Sequence, residues 1–132
     1  MVTVEAVAGV CEALPEVTEG VRFRNRTWFV REKAFAWLRP FSKADLKRFG
    51  AVVPPAGPIL AVRVASLEHK EVVLMARPPA FFTIAHFNSY PAVLIQLDTV
   101  RRGDLEEAVL DAWLACAPAE LARGLTRTPD VE

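Results

Sequence analysis

Apolar positions near the start of the chain follow the spacing of one helix face. Val4, Val7, Ala8, Cys11 and Leu14 recur at intervals of three and four residues. Thr3 is a good N-cap for this segment, and Pro15 cannot continue a helix. The pattern therefore predicts a first helix from Thr3 to about Leu14.

The same spacing predicts four further helices. Ser42 is expected to cap a short helix that ends at Phe49, and Ser66 a helix that ends before Arg77. A longer helix, capped by Asp104, has an apolar stripe on one side and its acidic residues on the other. Pro118 begins a short last helix, and the final residues 126–132 are expected to be frayed.

Alternating apolar residues predict strands between these helices. Residues 21–40 are rich in Phe, Trp, Val and Arg, and they are interpreted as two or three short antiparallel strands joined by tight turns. The alternation there puts Phe35 and Trp37 on one side. Two later strands, 59–65 and 92–97, each have one strongly apolar side and one side that a polar residue interrupts.

This order of elements predicts an α+β fold with two layers. One antiparallel sheet of about five strands would have helices on one face and leave the other face at least partly open. The aromatic residues on that open face would pack under the proline-rich loop 50–58 or meet a partner. The length fits a single domain, 1–132, with its core in 1–117 and a short helix and tail in 118–132.

Composition narrows the class of protein. The chain is 52% hydrophobic and 24% charged, which supports a packed core. No apolar stretch approaches the ~20 residues that cross a bilayer, and the first residues lack a basic signal segment. A cytoplasmic protein is therefore expected. Cys11 and Cys116 lack a CxxC spacing, so buried thiols are expected, with no metal and no cofactor.

The charge is unevenly distributed although the net charge is zero. Residues 22–48 hold nine basic groups and two acids, whereas residues 104–132 hold seven acids and two bases. The segment 1–21 has four glutamates and no base. This uneven distribution of charge indicates either a partner for the basic segment or pairing of that segment with acidic parts of the chain.

Four stretches of the sequence together resemble the MmcQ/YjbR family. They are "ALPEVTEGVRF", "WFVREKAFAWL", "PPAFFTIAHFNSYPAVLIQLD" and "DLEEAVLDAWLACAP", and the likeness spans residues 1–117. The resemblance implies a compact two-layer α+β fold, similar to secretion-chaperone-like and frataxin-like folds. Proteins of this family are commonly labelled DNA-binding, so the resemblance also implies nucleic acid as a partner.

The basic segment is the first candidate for a DNA-binding surface. Arg22, Arg24 and Arg26 alternate, so they are expected to share one side of a strand and to contact phosphates, with Arg31 and Lys33 at the next turn. Trp28 or Trp37 could stack on an unpaired base. The alternative is that these charges are solvated or face the acidic helices.

A second hypothesis is a protein-interaction or chaperone-like module. A sheet with aromatic residues on its open face, basic at one end and acidic at the other, could pair with a second copy of the chain or hold another protein. A homodimer is one form of this hypothesis.

The stretch "AHFNSYP" raises the question of catalysis. His86 and Tyr90 could act as acid and base, but no nucleophile motif, phosphate loop or metal-ligand spacing accompanies them. Asn88 is a turn former, and Pro91 fixes the entrance to the last strand. The segment is therefore interpreted as a structural motif in which His86 and Tyr90 close a core edge, and the protein as non-enzymatic.

Overall fold

The structure is a computed structural model that describes residues 1–126 and the side chains of residues 1–124. Five helices and one antiparallel sheet form two layers, which confirms the predicted α+β class. Of the segment predicted to fray, 127–132 lie outside the described residues.

The sheet has six strands in the order β1-β2-β3-β4-β6-β5, and all neighbours are antiparallel. The strands are β1 (Val17–Arg22), β2 (Asn25–Val30), β3 (Lys33–Leu38), β4 (Ile59–Arg63), β5 (Phe81–Phe82) and β6 (Ala92–Gln96). The sequence did not predict β5, because two residues are too few to show an alternation.

The helices begin largely where the capping residues predict. They are α1 (Val4–Glu12), α2 (Lys43–Phe49), α3 (Leu67–Ala76), α4 (Arg102–Cys116) and α5 (Ala119–Thr126). Thr3, Ser42 and Ser66 each accept a hydrogen bond from a backbone N–H of the first turn. The prediction that Asp104 caps α4 is wrong, because its carboxylate binds Arg77 and the helix begins earlier. No helix in the described part of the chain is long and apolar enough to cross a membrane.

The main core lies between the sheet and helices α1, α3 and α4. Trp28 and Phe35 from the sheet and Trp113 from α4 are fully buried there. The indole N–H of Trp113 donates to the carbonyl oxygen of Pro15, 3.0 Å away, which ties α4 to the chain after α1. Leu60 and Val62 face this core, as the strand pattern predicted.

A second, smaller core covers part of the opposite sheet face. Ile59, Ala61 and Leu94 meet aromatic side chains of α2 and of a 3-10 helical turn at Ala85–Phe87. The face predicted to be open is therefore half covered, since a short helix and a turn lie on it as well. The rest of this face forms the floor of a groove.

A β-bulge decides which aromatic residues reach that groove. Trp28 pairs with Ala36 but Phe29 pairs with Ala34, so Phe35 is the extra residue of β3. The expectation that Phe35 and Trp37 share a side is wrong for this reason. Phe35 enters the main core, and Trp37 lies on the opposite face.

Candidate nucleic-acid interface

A groove of about 870 Å³ crosses the uncovered part of the sheet. One wall is the hairpin tip, residues 22–25, and a second wall is the segment 39–42 that leads into α2. Thr27 and Trp37 lie between them, and the segment 86–90 contributes His86, Phe87 and Tyr90. We call this the arginine–aromatic groove.

The hairpin tip has an unusual turn sequence. Phe23 and Arg24 connect β1 to β2, and both have positive φ angles, 51° and 70°. Positive φ at both central residues is the signature of a type I′ hairpin turn, which strongly favours Asn-Gly. Bulky residues in this region are strained, and the side chain of Phe23 is nevertheless 84% exposed. Strain of this kind collects at functional positions.

Aromatic rings form the floor and one side of the groove. The rings of Trp37 and Tyr90 lie 6.4 Å apart at 59°, and the rings of Phe87 and Tyr90 lie 5.5 Å apart and meet edge to face. The guanidinium of Arg63 lies 5.6 Å from the centre of the Tyr90 ring. These contacts fix the orientation of Tyr90 while leaving 40% of it exposed.

A buried lysine holds the segment 86–90 in place. Lys70 of α3 is 4% exposed, and its ammonium donates to the carbonyl oxygens of Phe87 and Tyr90, the latter at 3.0 Å. Neither partner is a carboxylate. Burial lowers the pKa of Lys70 from its ordinary value, because the charged form loses solvation. This contact could not be predicted from the sequence, since a lysine in a helix is ordinarily solvated.

A capping box fixes the conformation of the second wall of the groove, the segment 39–42. Ser42 and Asp45 exchange hydrogen bonds between side chain and backbone at the start of α2. Asp45 also accepts from Arg39 at 2.9 Å. Burial works to raise the pKa of Asp45, but the hydrogen bonds from Ser42 and Arg39 outweigh it, and the pKa lies below its ordinary value.

The groove is cationic. Arg22, Arg24 and Arg39 line it, and within the described part of the chain no Asp or Glu does. Arg39 is paired with Asp45, whereas Arg22 and Arg24 are exposed and form no ion pair with a described carboxylate. Two uncompensated arginines at the rim therefore face solvent.

The other predicted arginines are paired within the protein. Arg26 binds Glu19 at 2.6 Å and Glu5 of α1 at 2.9 Å, and Arg31 binds Glu16 at 2.7 Å. Hydrogen bonds from these guanidinium groups hold the pKa of Glu19 and Glu16 below its ordinary value. Internal pairing thus accounts for this part of the basic segment.

Two expectations about the basic hairpin are wrong. Arg22 and Arg26 lie on opposite faces of the sheet, because Arg22 pairs with Asn25 and a two-residue turn separates the strands. Trp28 cannot stack on a base, because it is fully buried beneath the helices. Lys33 is exposed but begins β3, where it pairs with Val30 at the far end of β2, about 17 Å from the hairpin tip.

The structure joins two features that the sequence treats separately. His86 and Tyr90 line the same groove as Arg22 and Arg24, although about 60 residues separate them along the chain. The residue of this segment that enters a core is Phe87, 5% exposed, whereas His86 is exposed. Asn88 is exposed, and the carbonyl oxygen of Pro91 accepts from Arg63 at 3.2 Å. The segment is therefore both a structural turn and a wall of the groove.

The groove is lined by guanidinium groups, aromatic rings and the imidazole of His86. Neither cysteine lines it, and burial raises the pKa of Cys11 to about 12, which keeps this thiol protonated. No group of three or more His, Cys, Asp or Glu side chains that could hold a metal occurs among the described residues. Guanidinium groups and exposed ring faces are suited to phosphates and planar ligands.

Sequence and structure comparisons define the family. The chain matches the YjbR family over residues 12–115 and belongs to it. It is 38% identical over 126 residues to uncharacterised proteins of Mycobacterium bovis and Mycobacterium tuberculosis, covering 93% of this chain and 95% of theirs. A crystal structure of a Deinococcus radiodurans protein with a DUF419 domain is similar, with a TM-score of 0.66 and 22% identity. That match covers 98% of this chain and 91% of the other, and it supports the fold.

Proposed function

We propose that this protein is a non-enzymatic nucleic-acid-binding domain that binds phosphates through the arginine–aromatic groove. The observation that carries the proposal is the pair Arg22 and Arg24, which are exposed at the rim without a carboxylate partner among the described residues. Arginine forms charge-assisted, bidentate hydrogen bonds with phosphate oxygens. The neutral total charge does not oppose this function, because attraction depends on the local field.

The proposed binding surface contains fewer of the arginines than the sequence predicted. Arg26 and Arg31 are engaged with glutamates, so they serve the hairpin's structure rather than a ligand. Trp37 keeps its proposed role as a stacking group, because it lines the groove. Arg39 adds a third guanidinium, whose charge Asp45 partly offsets.

A direct binding titration tests this function. Fluorescence anisotropy of labelled DNA, measured at low and at moderate salt, should show binding that weakens as salt rises. Arg22→Ala and Arg24→Ala should each lower affinity roughly tenfold, since a charge-assisted hydrogen bond contributes about 1.5 kcal/mol. Arg101→Ala is the matched control, because Arg101 is exposed before α4 on the other side of the sheet. No binding at low salt, or equal loss in the control, would contradict the proposal.

A protein partner is the second candidate, favoured by the free edge of the sheet. Within the described residues β1 pairs only with β2, and Val21 and Phe23 near its end are 69% and 84% exposed. An exposed strand edge with apolar side chains is a template for pairing with another chain. Light scattering over a concentration series measures this self-association, and a mass that stays monomeric removes the homodimer form of this candidate.

A further inference from the structure

We propose that the occupant of the arginine–aromatic groove is a single-stranded nucleic acid, with unpaired bases on its aromatic floor and phosphates at its arginine rim. This inference rests on the proposed function and specifies its ligand. It uses the position of the ring faces, which phosphate binding alone does not require.

The aromatic side chains lie where a duplex cannot use them. Trp37 lies on the floor between two walls, and Tyr90 lies on the side of the same groove. In a duplex the faces of the bases are covered by their neighbours, so a ring inside a concave groove has nothing to stack on. An unpaired base exposes both faces and can enter such a groove.

The distribution of charge agrees with a single strand. The exposed residues Arg22 and Arg24 stand at the rim, whereas the half-buried Trp37 and the buried Phe87 line the interior of the groove. Proteins that bind single strands combine a positive groove along the backbone with aromatic platforms for successive bases. The volume, about 870 Å³, lies within the ~300–1,000 Å³ typical of sites that enclose small ligands, so it suits a few nucleotides rather than a helix.

The hairpin tip extends this platform. Phe23 is held in strained backbone geometry with its ring exposed beside the groove, and the Arg22 guanidinium lies 5.4 Å from the centre of that ring. A ring next to a guanidinium presents a planar surface and a positive charge within one nucleotide's length. This arrangement matches a base and its adjoining phosphate.

Tryptophan fluorescence can report directly whether a base lies on the floor of the groove. The chain has three tryptophans, of which Trp28 and Trp113 are fully buried in the main core. Trp37 is the one that lines the groove. A base that stacks in the groove should therefore quench the emission of Trp37 and leave the other two unchanged.

The experiment compares one labelled single strand of about 12 nucleotides with the same strand annealed to its complement. The wild-type protein should bind the single strand at least tenfold more tightly and show tryptophan quenching. Trp37→Phe should keep most of the affinity, read by anisotropy, and lose most of the quenching. Phe23→Ala and Tyr90→Leu should each weaken single-strand binding roughly tenfold. Val21→Ala changes an exposed residue on the other face of the same hairpin and should leave the affinity for the single strand unchanged.

Other outcomes separate this inference from the proposed function. Duplex binding as tight as single-strand binding, with the aromatic variants unaffected, overturns the inference while leaving phosphate binding in place. A mononucleotide that quenches Trp37 equally and displaces the strand at similar concentration also overturns it, in favour of a small ligand. Absence of binding to every probe overturns both proposals.

Discussion

Lys70 is a buried charge that positions one wall of the arginine–aromatic groove. Its ammonium reaches from α3 to two carbonyl oxygens of the segment that carries His86 and Tyr90. Both carbonyls also accept a backbone N–H, so the lysine supplements these hydrogen bonds. The geometry of the groove wall therefore depends on a residue that does not itself line the groove.

Lys70→Met should destabilise the protein by about 1–2 kcal/mol, since two charge-assisted hydrogen bonds are lost while the cost of burying the charge is removed. Urea unfolding at neutral pH measures this difference, with the exposed neighbour changed in Glu71→Ala as the control. The variant should also bind single strands more weakly, because the wall relaxes. Unchanged stability together with unchanged binding would show that Lys70 does not hold the segment.

Asp45 gives the fold a dependence on pH. Its pKa in the folded protein lies below the ordinary value, since Ser42 and Arg39 donate to the carboxylate and outweigh the effect of burial. A lowered pKa means that its stabilisation is fully present above the unfolded value, about 3.9, and is lost as pH falls through the folded value.

Asp45→Asn should therefore lower stability by about 1–2 kcal/mol at neutral pH, because the capping box and the pairing with Arg39 are weakened. The difference from the wild type should shrink at about pH 3. Urea unfolding at both pH values measures this difference in stability. Asp98→Asn, which changes an exposed carboxylate, is the control. A difference that stays constant with pH would contradict this role.

The tip of the β1–β2 hairpin has a turn sequence that is unfavourable for stability. A type I′ turn built from Phe23 and Arg24 is less stable than one built from Asn-Gly, since neither residue favours positive φ. The neighbouring strands do not need an aromatic residue there, because its ring is exposed. If the proposed function is right, this turn sequence is explained by contacts of Phe23 and Arg24 with the ligand.

Replacing both turn residues, Phe23→Asn with Arg24→Gly, should raise the free energy of unfolding by about 1 kcal/mol and weaken nucleic-acid binding at least tenfold. Thermal unfolding and anisotropy measure the two effects on the same preparation. A variant that is more stable and binds as well as the wild type would show that the tip is not part of the interface.

Helix boundaries were the most predictable elements. Thr3, Ser42 and Ser66 are polar residues before apolar periodic segments, and local chemistry alone fixes their role as caps. Asp104 has the same local signature, but its carboxylate is taken by Arg77, 27 residues away in sequence. Local patterns predict a cap unless a distant charge competes for it.

Over the whole molecule, the sequence predicted the fold class better than the site. The alternation in β4 and β6 correctly separated two faces, because one side of each strand is continuously apolar. The groove joins the hairpin tip 22–25, Trp37, the segment 39–42 and the segment 86–90, which only the strand order and the bulge bring together. The sequence offered internal pairing of the basic segment as an alternative, but it could not show that Arg26 and Arg31 are the paired arginines.

The structure shows how the unevenly distributed charges of the chain are arranged in space. Several basic groups meet acidic groups of other elements, as in Arg26 with Glu5 and Arg77 with Glu107. What remains is a local positive field at one groove on a neutral protein. We expect steering of an anionic ligand to this groove that weakens as salt screens the field.

The most direct test is the salt dependence of single-strand affinity in the wild type and in the double variant Arg22→Ala with Arg24→Ala. The slope of log affinity against log salt counts the phosphates that the protein neutralises, at about 0.7 per contact for single strands. If both arginines bind phosphates, the slope of the double variant should be shallower by about 1.4. Equal slopes in the two proteins would contradict phosphate binding at this groove.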